Sequence, residues 1–390
     1  MPRIGWLFLV FSTMAGTVGL VAQTQAPNAQ NPQLVPRTPD QRKHTYEAQR
    51  RINLHVVVAD ASGQPVTGLK PEDFIVLDHA QPQKIAQFEE VKGSIVTDDS
   101  VHGLVVLDAI DDGKAGVNRV RKELVKLLGQ GHGPLAYPIE IVVALDTGTN
   151  EGKPTTDRAA LMKDLTGLTG NLHSTDCDAT APGSDMRDSR IGASFLGQTD
   201  SAQTRWICLN AHLTESLNAL KSLAEEQQNA KGSAIVIWTG PGWPLPPKID
   251  TGQVMGGGTM GDLSGAIFSV EAAMQEGQVT LEAVSWGKFE RAQGARRAGL
   301  TGSLAGDGLP EQEAALELPA LAEQTGGLAL EKSKNLAEAL NACLSDGQQF
   351  YAVAFDPAPA AAQDEYRSIE VKIDRPGATV RTLTGYYAEP

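Results

Sequence analysis

The stretch Gly103-Leu-Val-Val-Leu-Asp-Ala-Ile-Asp-Asp-Gly113 decides the fold. Leu104 to Leu107 is a short, continuous apolar run that opens after a glycine and closes on the carboxylate of Asp108. A run this short, with no polar residue alternating through it, fits a strand buried on both faces, as in a parallel sheet. Gly113 and Gly116 then break the pattern. Val120, Leu124, Leu127 and Leu128 resume it at helical spacing, which predicts a helix over 118–128. Strand, acidic loop and helix follow one another, and ligands of open α/β sheets sit beyond the carboxyl ends of the strands. Asp108, Asp111 and Asp112 therefore stand where a ligand or cation would be held.

Downstream the alternation continues. Glu140 to Leu145 is a second buried strand, closed by Asp146, and Thr155-Thr156-Asp157 caps a helix over 158–168. The polar stretch 169–205 reads as a long surface loop. Leu209, Leu213, Leu217 and Leu220 mark an amphipathic helix. Further strands are expected at 233–238, 279–286 and 328–330, and helices at 264–275, 312–324 and 336–344. Gly326-Gly327 closes the second of these helices. Strands and helices at this spacing imply a doubly wound, mostly parallel sheet across residues 100–347.

The two ends of the chain are of another kind. Ile52, Leu54, Val56 and Val58 keep strand period, and further strands follow at 74–77 and 84–88. At the far end, strands are expected around Tyr351–Phe355, Ile369–Ile373 and Val380–Tyr386. Three short strands cannot close a core alone. The economical solution packs residues 51–92 and 348–390 into one small all-β sandwich, with the α/β domain inserted between them.

The chain has 390 residues and a net charge of −14, which argues against nucleic acid or an anionic membrane surface as the main partner. Arg3, the apolar segment after it and Thr24-Gln25-Ala26 form a secretory signal over residues 1–26. Cleavage after it and retention as an N-terminal membrane anchor are both open. Either way the remainder is exported to the periplasm, the cell envelope or the medium. Residues 27–50, rich in Gln, Pro and Asn, read as a disordered tether. Of three cysteines, Cys177 and Cys208 bracket one loop and suit a disulfide in an oxidising space, against the alternative of two buried thiols. Cys343 shares a helical face with Leu336 and Leu340 and reads as core.

Val56 to Val76, Leu104 to Asp108, Leu321 to Gly327, Tyr351 to Pro357, Tyr366-Arg367 and Gly385-Tyr-Tyr387 occur in an order that resembles the VWFA-related domain proteins first described from acidobacteria. These are a divergent branch of the von Willebrand factor type A fold, which is Rossmann-like. The resemblance covers Ile52 to the C-terminus. It implies a metal-ion-dependent adhesion site, in which a D-x-S-x-S strand end, a threonine and a T-D-G aspartate hold Mg2+. On that pattern Asp108, Asp112 and Thr156 are the metal candidates. The pattern is incomplete: Ile110 replaces a serine, and Thr239-Gly240-Pro241 lacks the aspartate. The alternative is a plain polar turn in which Asp108 accepts from backbone N–H groups.

Gly256 to Gly261 satisfies G-x-G-x-x-G, but no strand precedes it as a dinucleotide site requires. The seven histidines show no pair at metal-ligand spacing, and His212 reads as packed against a helix face. Trp243, among prolines beside Gly240, is either a contact residue on the Asp108 rim or a cover for the core. With Asp111 and Asp146 it completes a candidate partner-binding rim. The expectation is an exported, non-enzymatic binding module for a protein or peptide. A structural or assembly component of the envelope is the alternative, and a hydrolase without a recognisable motif a more distant one.

Overall fold

The computed structural model describes residues 51–92, 101–168, 172, 177, 201–228, 230, 232–243, 260–286, 318–331, 335–362, 365–388 and 390. The signal segment, the tether, most of the expected 169–205 loop up to residue 200 and the first four positions of the G-x-G-x-x-G stretch lie outside them; the last five residues of that expected loop, 201–205, instead open a helix.

The central sheet is built from β5 (Val101–Asp108), β6 (Ile139–Leu145), β7 (Gly148–Glu151), β8 (Ser233–Gly240), β9 (Val279–Ser285) and β10 (Ala329–Leu330). Their order is β10-β9-β8-β5-β6-β7, parallel throughout except for β7. Counted from β5, this is the doubly wound order 3-2-1-4-5-6, and the winding reverses between β5 and β8. The continuous apolar runs follow from burial on both faces. Leu104 and Val106 join Val236, Trp238 and Leu281 in one cluster, under α3 (Ser201–Gln227), α4 (Met260–Glu276) and α5 (Leu318–Gln324). Val105 and Leu107 join Ile141, Val143 and Ile237 in the other, under α1 (Gly113–Gln130), α2 (Arg158–Gly167) and α6 (Leu336–Asp346).

Two local expectations are corrected. Helix α1 begins at Gly113, not at 118, so Gly113 and Gly116 lie in its first turns instead of breaking the chain. The burial of Val117, Val120, Leu124 and Leu128 outweighs the roughly 1 kcal/mol that each glycine costs a helix. Between β6 and α2 an unforeseen strand, β7, folds back antiparallel on β6, with Leu145 opposite Gly148. It is an edge strand of Gly-Thr-Asn-Glu with no buried residue, so it carries no apolar period to read.

The chain ends supply β1 (Ile52–Ala59), β2 (Phe74–Asp78), β3 (Gln81–Gln83), β4 (Ile85–Lys92), β11 (Gln349–Phe355), β12 (Glu365–Ile373), β13 (Thr379–Arg381) and β14 (Gly385–Ala388). They form two four-stranded antiparallel sheets, β13-β1-β11-β4 and β14-β12-β2-β3. Each sheet takes strands from both ends of the chain: Leu54 lies opposite Val353, and Val76 opposite Val371. Leu54, Val56, Phe74, Val76, Tyr351, Val353, Ile369 and Tyr386 belong to one buried cluster drawn from both sheets. The single last strand expected at Val380–Tyr386 is two strands, because the Thr384 N–H leaves the ladder to donate to Gln324 O at 2.9 Å. Gly326 turns there with φ +85°, and a Cβ on it would run into the Thr382 backbone.

Helix α4 touches these sheets through Glu271, whose Oε2 accepts from the Tyr387 hydroxyl at 3.1 Å. Burial pushes the Glu271 carboxyl up to about 7. A carboxyl with a raised folded pKa takes up a proton on folding, so its contribution is favourable at low pH and is lost as pH rises from about 4.5 through about 7. Stability should fall across that window, at no more than about 1.4 kcal/mol per pH unit. Urea melts between pH 5 and 7.5 should show the decline in wild type and a flatter profile in Glu271→Gln. Equal slopes in both proteins would refute the assignment.

Candidate functional site

Asp108 ends β5 at the point where the winding reverses, and it is only 2% exposed. Its Oδ1 accepts from the Asp111 N–H at 3.0 Å, and its Oδ2 accepts from Trp238 Nε1 at 3.1 Å. Gly240, at the end of the neighbouring strand β8, passes so close that a Cβ would stand 2.8 Å from Asp108 Oδ2. Burial, and then the charge of Asp111, push the Asp108 carboxyl well above the usual carboxylate range. The strand-end carboxyl is therefore a packed hub, not an open lip.

Trp243 is fully buried, and its ring meets Trp238 edge-on at 5.5 Å and 83°. This corrects the placement of Trp243 as an exposed rim contact. Its indole has more apolar area to hide than its proline-rich surroundings suggest, and it covers the core over Trp238.

The metal set is corrected as well. Thr156 lies at the opposite edge of the sheet: Thr155 bridges to Ile139, which starts β6 level with Gly103. Asp108 lies five residues further along β5 than Gly103, a separation of about 17 Å at the usual strand rise. The β6–β7 hairpin causes this, because it returns the chain to the amino edge before α2 begins. Ile110 is buried and has no oxygen to give. Asp112 is half-buried with Oδ2 lacking a hydrogen-bond partner. Burial raises its carboxyl, and Arg119, whose guanidinium lies 5.1 Å over the Trp286 ring, opposes that. With both Asp108 oxygens already accepting from protein donors and Thr156 absent, the residues here do not fit the octahedral oxygen shell of Mg2+.

Beside this hub stands a constellation that the sequence reading missed. Asp111, its side chain 1% exposed, places Oδ1 3.2 Å from His212 Nδ1. Its Oδ2 accepts from Ser216 Oγ at 3.5 Å. Cys208, His212 and Ser216 recur every four residues on α3 and so share one helical face. The Cys177–Cys208 disulfide is formed, and His212 Nε2 lies 3.9 Å from Cys177 Sγ and 4.0 Å from Cys208 Sγ. The Cys-x3-His-x3-Ser spacing was the readable signal. The meeting with Asp111 and Cys177 was not, since both lie far away in sequence. Asp146 is exposed at the carboxyl edge, and half-buried Glu215 projects from α3. Burial raises the Glu215 carboxyl, His212 opposes the rise, and Asp146 and Asp111 add to it.

No family model matches the chain, and neither does any curated protein. Among solved structures it is similar to the manganese-loaded TRAP protein of Plasmodium vivax, with 11% identity over 77% of this chain and 97% of that one, at TM-score 0.32. It is also similar to proximal thread matrix protein 1 of the mussel byssus, with 8% identity, 73% and 49% coverage and TM-score 0.30. A third is human COPII-coat protein Sec24c, with 9% identity, 75% and 44% coverage and TM-score 0.28. Likeness this loose assigns no function.

Proposed function

We infer that this chain is an exported, non-enzymatic binding module of the divergent von Willebrand factor A type. In this reading the two terminal sheets make a β-sandwich that carries the α/β domain, whose carboxyl edge docks a protein or peptide. The observation that carries it is the acidic edge itself. Exposed Asp146 and half-buried Glu215 form it, while Asp111, expected on the same rim, is buried behind them against His212 and Ser216. Burial raises the Glu215 carboxyl, His212 opposes the rise, and the charges of Asp146 and Asp111 add to it. A partner presenting basic side chains would relieve that repulsion, and salt would weaken its binding. Export is supported by the Cys177–Cys208 disulfide, which persists in oxidising compartments. A non-enzymatic role is supported by Asp108, whose oxygens are taken up in holding Trp238 and the Asp111 turn.

The test reverses the exposed part of the edge. Asp146→Lys with Glu215→Lys should leave the thermal melt within a few degrees of wild type. It should also abolish, at least tenfold, retention of those partners that wild type recovers from an envelope extract in a salt-sensitive way. Undiminished retention by the variant would refute the edge as the binding surface.

One observation favours the assembly reading as an alternative. Ile75 and Tyr366 are about half exposed, at 50% and 52%, on the outer face of the β14-β12-β2-β3 sheet. Partners kept by the edge variant but lost on Ile75→Glu would point to that face instead.

A further inference from the structure

We propose that Cys177, Cys208 and His212 form a redox-gated site for a soft divalent cation, with zinc as the type ligand, closed by the disulfide and opened by a dithiol reductant. The site does not depend on the edge-docking reading. The two sulfurs and the imidazole Nε2 all lie within 4.8 Å of one another. Tetrahedral zinc with two thiolates and one imidazole places Nε2 about 3.6 Å from each sulfur. The observed 3.9 and 4.0 Å therefore need only small adjustment. The large change is between the sulfurs, which must part to about 3.8 Å once the bond joining them is cut.

His212 is prepared for this role. A carboxylate can only accept, so Asp111, 3.2 Å from Nδ1, holds the ring proton there. That leaves the Nε2 lone pair aimed at the sulfurs, and a carboxylate behind a ligating histidine fixes its tautomer and raises its basicity. Cys208 and His212 are buried, whereas Cys177 is half-buried and gives the ion a way in. The balance is simple. A dithiol gives two electrons and two protons to the Cys177–Cys208 bond and becomes a disulfide itself. Zn2+ then displaces one proton from each thiol. Two thiolates neutralise the ion, which suits a site largely removed from water. The fourth tetrahedral position stays with water or a donor from a partner.

The full chain, reduced with a phosphine and freed of metal, is titrated with Zn2+ against a chromophoric chelator. A parallel titration with Co2+ reads thiolate charge-transfer and tetrahedral d–d bands. The reduced protein should bind one ion, and the disulfide form none. Asp111→Asn should weaken binding about ten- to hundredfold, and His212→Ala at least as much. Cys343→Ala should leave it unchanged, since Cys343 is buried on the inner face of α6, in the cluster on the other side of the central sheet. The Cys177→Ala, Cys208→Ala double variant should melt cooperatively and bind nothing, which separates loss of ligands from loss of fold. The proposal is overturned if the reduced chain takes up no stoichiometric zinc. It is equally overturned if His212→Ala binds as wild type does, or if the urea-unfolded reduced chain binds as tightly as the folded one.

Discussion

Arg381→Met should lower the stability of the protein by about 3–5 kcal/mol. Arg381, on β13, reaches across to the α/β domain. Its Nη2 donates to Asp346 Oδ2 at 2.6 Å, and its Nη1 donates to Gly326 O at 3.1 Å. Behind Asp346 lies Glu282, fully buried on β9, with Oε2 accepting from the Leu328 N–H at 2.7 Å. Burial, and then the charge of Asp346, hold the Glu282 carboxyl well above the usual range, while Arg381 pulls it down. Two carboxyls and one guanidinium thus share the seam between the terminal sheets and the α/β domain. Removing the guanidinium leaves the acids facing each other with little solvent, and that uncompensated charge, more than the lost contact, sets the cost. Urea denaturation should show a lower midpoint at similar slope. Adding Asp346→Asn to Arg381→Met should restore part of the loss, because it removes the charge that the guanidinium had offset. A single variant within about 0.5 kcal/mol of wild type would show that the seam does not depend on this pairing.

Trp243→Ala should cost a similar amount, about 3–5 kcal/mol, through the cavity it leaves over Trp238. The ring is fully buried and packs edge-on against a second fully buried indole. Trp238→Phe should cost less, about 1–3 kcal/mol, because it keeps most of the packing and deletes the N–H that satisfies Asp108 Oδ2. Both effects are read by denaturation, and near-UV circular dichroism should lose the signal of the coupled indoles. A Trp243→Ala protein as stable as wild type but deficient in partner binding would reverse the assignment and return Trp243 to the surface.

Legibility differed from element to element for physical reasons. The run Leu104 to Leu107 announced a strand because every side chain in it is buried on one face or the other. Ile369, Val371 and Ile373 announced one because their neighbours Glu370 and Lys372 face water. Helix α6 lies where Leu336, Leu340 and Cys343 placed it, extended by two residues. Strand β7 was invisible, since an exposed edge strand has no apolar period. That omission sent Thr156 to the wrong edge of the sheet. Asp108 was found, but the reading of it as open was not upheld, because the donor that engages it, Trp238, sits 130 residues away.

What the sequence determined by itself is whatever a residue shares with neighbours one to four positions away: strand period, helical stripes and the alternation of strand and helix that implies a doubly wound sheet. Which strand ends and cysteines meet belonged to the tertiary structure. Asp108 under Trp238, Thr156 at the amino edge, and Asp111 behind His212 and the disulfide all arise from the closing of distant segments. Such closure is decided by the joint burial of surfaces that no local window contains.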